Sequence, residues 1–250
     1  MDVRDKVVLV TGASGGIGKA TAELLDGKGA KVALVARSED KLREICADLP
    51  GAFSVTADMS DTRSVRDMVA QVLKHFGRVD ALVNNAGRGM MGPIEAIDMD
   101  DLKYLMALNV YGPLAAMQAV IPAMREKGGG AIVNVSSALS KMSVPNLGGY
   151  ASTKYALNGL SLTAHNELAK DGIMVSTVYP NMTATDFNRN AIQRGDVAWQ
   201  PRHGGAEPVI DTAEMVAERI LDAIESGTPE QFIDEAQRER IAAMRPGGMR

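Results

Sequence analysis

The sequence predicts an α/β fold, a doubly wound parallel sheet with helices on both faces. Short continuous apolar runs rich in β-branched residues recur along the chain and are closed by turn residues, as strands buried on both faces require. Between them lie stretches with helical periodicity. These are too long for hairpins, so successive strands run parallel. The 250 residues contain no internal repeat, low-complexity tract or linker, and a single domain over 1–250 is expected.

Val7–Val10, closed by Thr11-Gly12, is the first strand, and Ile17 to Gly27 is the helix that follows. Lys31–Val35 is the second strand, after which Ser38 caps a helix reaching about Asp48. Ser54–Ala57 is the third strand, Thr62 to Phe76 a long helix, and Ala81–Val83 the fourth strand. Asp100 to Lys127 holds enough helical sequence for two helices, with a break expected near Gly112-Pro113. Ala131–Val135 is the fifth strand, Gly149 to Lys170 the longest single helix, and Met174–Val178 the sixth strand. The segment 186–208 lacks periodicity and holds several glycines and prolines, which predicts a substrate lid. Thr212–Glu225 is the last full helix, followed by a short strand at Gln231–Asp234 and a charged helical tail.

A net charge of −4 argues against a nucleic-acid surface. Cys46, the one cysteine, forms no internal disulfide, which fits a reducing compartment. The continuous apolar run before Thr11-Gly12 is only four residues, Val7–Val10, too short for a signal-peptide core, and no uninterrupted apolar stretch approaches the roughly 20 residues of a membrane helix. A soluble, cytoplasmic protein that engages no membrane is expected. His165 and His203 belong to no cluster of metal-ligand spacing, and no metal is predicted.

Tyr150 and Lys154 stand four residues apart and share one helix face. An unperturbed phenol has a pKa of about 10, and a neighbouring ammonium lowers it, giving a usable general acid or base. The first strand opens into Thr11-Gly12-Ala13-Ser14-Gly15-Gly16-Ile17-Gly18, a glycine turn leading into a helix. There the absent side chains and the helix N-terminus suit a pyrophosphate; the bland reading is a tight strand-to-helix turn. The second strand ends at Arg37, where NAD sites usually place an acid, so Arg37 is suited to a 2′-phosphate and NADP(H) is favoured over NAD(H). Alternatively Arg37 is a solvated charge and Glu39 or Asp40 stands in for the acid. Asp58, followed by Met59, either accepts from an adenine amino group or caps the helix near Thr62. Asn84-Asn85-Ala86-Gly87 ends the fourth strand with small residues that let a nucleotide lie close. Ser137 ends the fifth strand thirteen residues before Tyr150, on the same sheet edge, where its hydroxyl is able to hold a substrate oxygen.

Taken with Asn109 and Pro180…Thr185, these pieces resemble the classical short-chain dehydrogenase/reductase family in order and spacing over about residues 5 to 235. The resemblance implies a Rossmann-like sheet of about seven strands. It assigns Tyr150 as the acid/base, Lys154 to tuning that tyrosine and holding the nicotinamide ribose, Ser137 to the substrate oxygen, and Asn109 to a water near Lys154. It implies cofactor contacts at Gly12, Ser14, Gly16, Ile17, Gly18, Arg37, Asp58, Met59, Asn85, Ala86, Gly87, Tyr150, Lys154, Pro180, Thr183 and Thr185. It also implies a homotetramer or homodimer paired through helices around Leu105–Met124 and Tyr150–Leu168. The chain departs from the family pattern at Asn181, where glycine is usual; asparagine tolerates left-handed backbone angles.

The expected function is oxidation or reduction of a small-molecule carbonyl/alcohol pair. Met90, Met91, Met142 and Met182 suit an adaptable apolar pocket. Arg88, Lys141, Arg189 and Arg194 suit an acidic substrate, such as a 3-oxoacyl or 3-hydroxy acid, unless they are solvated surface charge. The rival class is a dinucleotide-binding regulatory or structural module without turnover. Epimerisation or dehydration with a retained cofactor is a further alternative.

Overall fold

The computed structural model describes residues 1–195 and 209–244. Seven strands form the main sheet: β1 (Val7–Thr11), β2 (Lys31–Ala36), β3 (Phe53–Thr56), β4 (Ala81–Asn84), β5 (Gly130–Val135), β6 (Ile173–Tyr179) and β7 (Glu230–Phe232). All pairings are parallel, and the order across the sheet is β7-β6-β5-β4-β1-β2-β3. The winding reverses between β1 and β4, which opens a crevice at the carboxyl ends of those strands.

Eight α-helices lie among the described residues: α1 (Gly16–Gly27), α2 (Glu39–Asp48), α3 (Thr62–Phe76), α4 (Met99–Met106), α5 (Gly112–Glu126), α6 (Gly148–Leu168), α7 (Ala213–Ser226) and α8 (Glu235–Met244). The strands alternate their side chains between two cores. Val8, Val10 and Leu34 pack with Leu25 of α1, Leu42 of α2 and Ile220 of α7. Val7, Leu9 and Val35 pack on the other face with Met68 of α3, Val120 of α5 and Leu168 of α6. Burial on both faces is why these strands read as unbroken apolar runs.

The break expected near Gly112-Pro113 does not occur. Met99 to Glu126 runs on as 28 helical residues, with a π-helical turn at Ala107–Tyr111. Pro113 has no N–H for the carbonyl four residues back, which belongs to Asn109, and its ring crowds that position. The wider turn, in which the Gly112 N–H reaches Ala107 O, absorbs the proline without ending the helix. Gly112 is required for another reason: a Cβ there would lie 2.0 Å from the Met59 carbonyl oxygen. The expectation about apolar stretches is also corrected, because by length and composition this run suffices to cross a membrane. Of its apolar window 56% is buried within the protein, with Ala116 and Met117 in the core.

Capping differs in detail as well. Ser38 occupies the N-cap of α2 without a side-chain capping bond. Asp61, not Asp58, caps α3 by accepting from the Arg63 N–H at 2.8 Å. Two short parallel ribbons add to the carboxyl edge of the sheet: Met90–Met91 with Ile192–Gln193, and Met182–Thr183 with Ile210–Asp211. The expected lid is described over 186–195; its remainder, with His203, lies outside the described residues.

Candidate active site

The glycine turn is built by close backbone approach. Gly12 and Gly16 have φ of +69° and +52°, which L side chains rarely adopt. A Cβ on Gly18 would lie 2.3 Å from Gly12 O, so α1 starts against the turn only because that atom is absent. Space beside Gly15 is open, and Ser14 and Ile17 are half-buried around it. The result is a concave backbone cradle at a helix N-terminus, which fits a pyrophosphate.

Thr11, part of the motif but given no role of its own from the sequence, ties this turn to the end of β4. Its Oγ1 accepts from the Asn85 N–H at 3.0 Å and the Ala86 N–H at 3.1 Å, and donates to Val83 O. The Asn85 side-chain amide donates to Thr11 O at 2.9 Å, so it braces the cradle instead of projecting into it. A threonine directly before a glycine turn was the available signal. Gly87 brings this loop against the reactive helix: a Cβ there would lie 3.1 Å from Asn109 Oδ1 and 3.6 Å from Lys154 Nζ.

At the far end of the crevice Arg37 is exposed, and its guanidinium reaches the Tyr104 hydroxyl at 3.4 Å. Glu39 and Asp40 both pair with Arg43 on the exposed face of α2. Asp58 Oδ1 accepts from the N–H and Oγ of Ser60, which shapes the turn after β3; the Met59 side chain is buried in the core.

The structure brings Ser137, Tyr150 and Lys154 together. The Ser137 hydroxyl hydrogen-bonds the Tyr150 hydroxyl. Lys154 Nζ donates to Val135 O at 2.9 Å and lies 5.9 Å from the Tyr150 ring centroid. Both side chains are buried. Burial pushes the Tyr150 phenol well above its ordinary value, against a smaller lowering by Ser137. The same desolvation brings Lys154 from 10.5 down to about 8. The expected lowering of the tyrosine by Lys154 is not found in the coenzyme-free protein: loss of water raises the phenol, and the one opposing influence is Ser137. Behind them Ser136, Ser140 and Asn158 form a buried hydrogen-bonded cluster that fixes the end of β5 against α6.

Asn109 is placed beside this group, but its side chain is fully engaged. Its Nδ2 donates to Arg88 O and Thr153 Oγ1, and its Oδ1 accepts from the Arg88 N–H. Its main-chain carbonyl lacks the usual donor four residues on, because Pro113 has no N–H.

The loop after β6 closes the site. Pro180 O accepts from the Ala138 N–H, and the Thr185 methyl lies 2.9 Å from where a Gly16 Cβ would be. Thr183 Oγ1 donates to Asn181 O. Asn181 is not left-handed. Its N–H and Nδ2 donate to Asp211 Oδ2 and Oδ1 at 2.8 and 3.0 Å, and its Oδ1 accepts from Gln237 Nε2 at 2.9 Å. Asp211 and Gln237, each 1% exposed, thus clamp the loop to α8. Neither residue carries a sequence signal, because they become neighbours only through the fold. Phe187 then lays its ring edge on Tyr150, with centroids 5.7 Å apart.

Elsewhere His165 Nδ1 meets Val175 O, and no group of three potential metal ligands occurs among the described residues. A surface depression lined by Asp26, Lys31, Pro50 and Phe76 sits at the opposite sheet edge and holds none of these groups.

The model of the short chain dehydrogenase family matches residues 6–195. Dehydrogenase/reductase SDR family member 7B of Danio rerio is 32% identical over 244 residues, covering 90% of this chain and 79% of the relative. A short-chain dehydrogenase structure from Streptomyces avermitilis superposes with a TM-score of 0.84 at 32% identity, covering 95% of this chain and 91% of that one. A 3-ketoacyl-(acyl-carrier-protein) reductase from Brucella melitensis, complexed with NADH, superposes with a TM-score of 0.84 at 25% identity over 94% and 99% of the two chains. By this family match and these relatives the chain belongs to the short-chain dehydrogenase/reductase family, oxidoreductases of the CH–OH group that use a nicotinamide dinucleotide.

Proposed function

We propose that the protein interconverts a carbonyl and an alcohol with NADP(H), using Tyr150 as the acid/base. The observation that carries this reading is the Tyr150 hydroxyl, bonded to Ser137 and beside Lys154, at the mouth of the glycine cradle. Gly12, Ser14, Gly16, Ile17 and Gly18 would hold the pyrophosphate, Asp58 and Met59 the adenine, Ala86 and Gly87 the ribose side, and Pro180, Thr183 and Thr185 the nicotinamide. When bound, the dinucleotide supplies the hydride for reduction and accepts it for oxidation.

The substrate oxygen sits between the hydroxyls of Ser137 and Tyr150. Because burial keeps the phenol protonated at neutral pH, Tyr150 is poised to donate as negative charge develops on that oxygen. The Lys154 ammonium stabilises the resulting phenolate, and its value of about 8 lets it pass a proton onward near neutrality. A water on the Asn109 main-chain carbonyl would complete the path to solvent.

Arg37 supports the NADP(H) preference, since it has no carboxylate partner among the described residues and the nearby acids are spent on Arg43. A dimer or tetramer belongs to the same proposal, supported by Tyr111 and Tyr155, 52% and 49% exposed on the two helices expected to pair.

Oxidation of NADPH and NADH against a panel of ketones, aldehydes and quinones tests the reading. Turnover is expected with NADPH, and Arg37→Ala should raise its KM about 10–100-fold while leaving that for NADH within a few-fold. Equal effects on both coenzymes would remove Arg37 from the 2′-phosphate. Tight NADPH binding with no turnover would favour the binding-module alternative.

A further inference from the structure

We infer that the carbonyl compound taken by this site is neutral and apolar around its reacting carbon. The inference rests on the reading of Tyr150 as proton donor and names the substrate class for that site. Tyr150 belongs to a cluster with buried Met90, Leu105 and Ile192, against which Leu139 and Phe187 pack. The Phe187 ring also comes within 3.1 Å of the position a Gly89 Cβ would take, so one aromatic ring spans the gap between the tyrosine and the loop after β4. Backbone bonds hold this wall in place, from Ile192 N–H to Gly89 O and from Arg194 N–H to Met91 O, both at 2.9 Å. The Ser137 and Tyr150 hydroxyls are the polar point in a hydrocarbon lining, enough to orient one oxygen.

The cations that suggested an acidic substrate are engaged elsewhere. Lys141 pairs with Glu230 and lies 4.6 Å over the Tyr179 ring. Arg189 pairs with Asp186, and Arg194 with Asp101. Arg88 donates through Nε to Asn190 O at 2.7 Å, with its guanidinium carbon 6.0 Å from the centroid of the Tyr104 ring, the ring whose hydroxyl Arg37 reaches. Lys154 is turned to Val135 O. Among the described residues, a carboxylate entering beside Tyr150 would have to break an ion pair of Lys141, Arg189 or Arg194, or draw Arg88 from Asn190 O or Lys154 from Val135 O, and each of these opposes binding.

The test uses matched compounds of equal length: a linear methyl ketone, the oxo acid carrying a carboxylate in place of the terminal methyl, and the methyl ester of that acid. For the full chain with NADPH, kcat/KM for the ketone and the ester is expected to exceed that for the acid by about 100-fold. Calorimetric binding of the corresponding alcohols to the protein with NADP⁺ should follow the same order. Phe187→Ala should raise kcat/KM for ring-bearing ketones about tenfold relative to the linear one. Preference for the acid, abolished by Arg88→Gln, would overturn the inference while leaving the reductase reading intact. Turnover of none of the three would sink the reductase reading, and the alcohol-binding order would still decide between a neutral and an acidic pocket.

Discussion

Tyr150→Phe is expected to lower kcat for carbonyl reduction by about 10²–10⁴-fold while KM for NADPH changes little. The substitution removes one hydroxyl and keeps the ring, so the packing with Phe187 and the buried cluster around it remains. What is lost is the group that gives the proton, together with its bond to Ser137. Burial raises the phenol above its ordinary value, so the protonated, donating form prevails through neutral pH. Alcohol oxidation needs the phenolate and should therefore gain rate as pH rises, while reduction does not. Steady-state rates in both directions across pH check this. A variant retaining more than a tenth of wild-type kcat would remove Tyr150 from the proton-transfer step.

Lys154→Met is expected to abolish turnover and to stabilise the coenzyme-free protein by about 2 kcal/mol at pH 7. Burial lowers the lysine from 10.5 to about 8, so carrying its charge in the fold costs about 3 kcal/mol at neutral pH. Loss of the bond to Val135 O offsets about 1 kcal/mol of the gain. The sign of the pH dependence follows. Below about 8 both folded and unfolded chains carry the proton, and the full cost is present. Between about 8 and 10.5 the unfolded chain binds more protons than the folded one, so wild-type stability rises with pH relative to the variant. Above 10.5 the variant's advantage is gone. Urea unfolding of both proteins at pH 7, 9 and 10.5 measures the closing gap; a gap that is constant or widens with pH would show that the lysine is not desolvated.

The central strands were legible because they are buried on both faces, which leaves an unbroken apolar run such as Val7–Val10, whereas the edge strands β3 and β7 are only partly buried. Tyr150, Lys154 and Ser137 were legible because helix periodicity and strand order place them on one edge. Pro113 misled because its local effect, a missing N–H and a crowding ring, is the same whether a helix ends or widens into a π-helical turn as it does here. Asp58 and Asp61 are chemically equivalent caps, and the three-residue offset that separates them lies within the uncertainty of any helix boundary. Asn181 was read from its backbone tolerance, whereas its role comes from Asp211, thirty residues away. The basic side chains in the loops were ambiguous for the same reason, since Lys141 meets Glu230 across 89 residues of chain. The ribbon of Met90–Met91 with Ile192–Gln193 is too short to carry any period.

The central claim is hydride transfer between bound dinucleotide and substrate carbon, coupled to a proton from Tyr150. It is tested most directly by incubating the protein with a neutral ketone and NADPH deuterated at both nicotinamide C4 positions, then analysing the alcohol by mass spectrometry. The account predicts a single deuterium on the carbinol carbon of the wild-type product, and almost no alcohol from Tyr150→Phe over the same interval. Alcohol lacking deuterium, or labelled alcohol formed equally by both proteins, would contradict it.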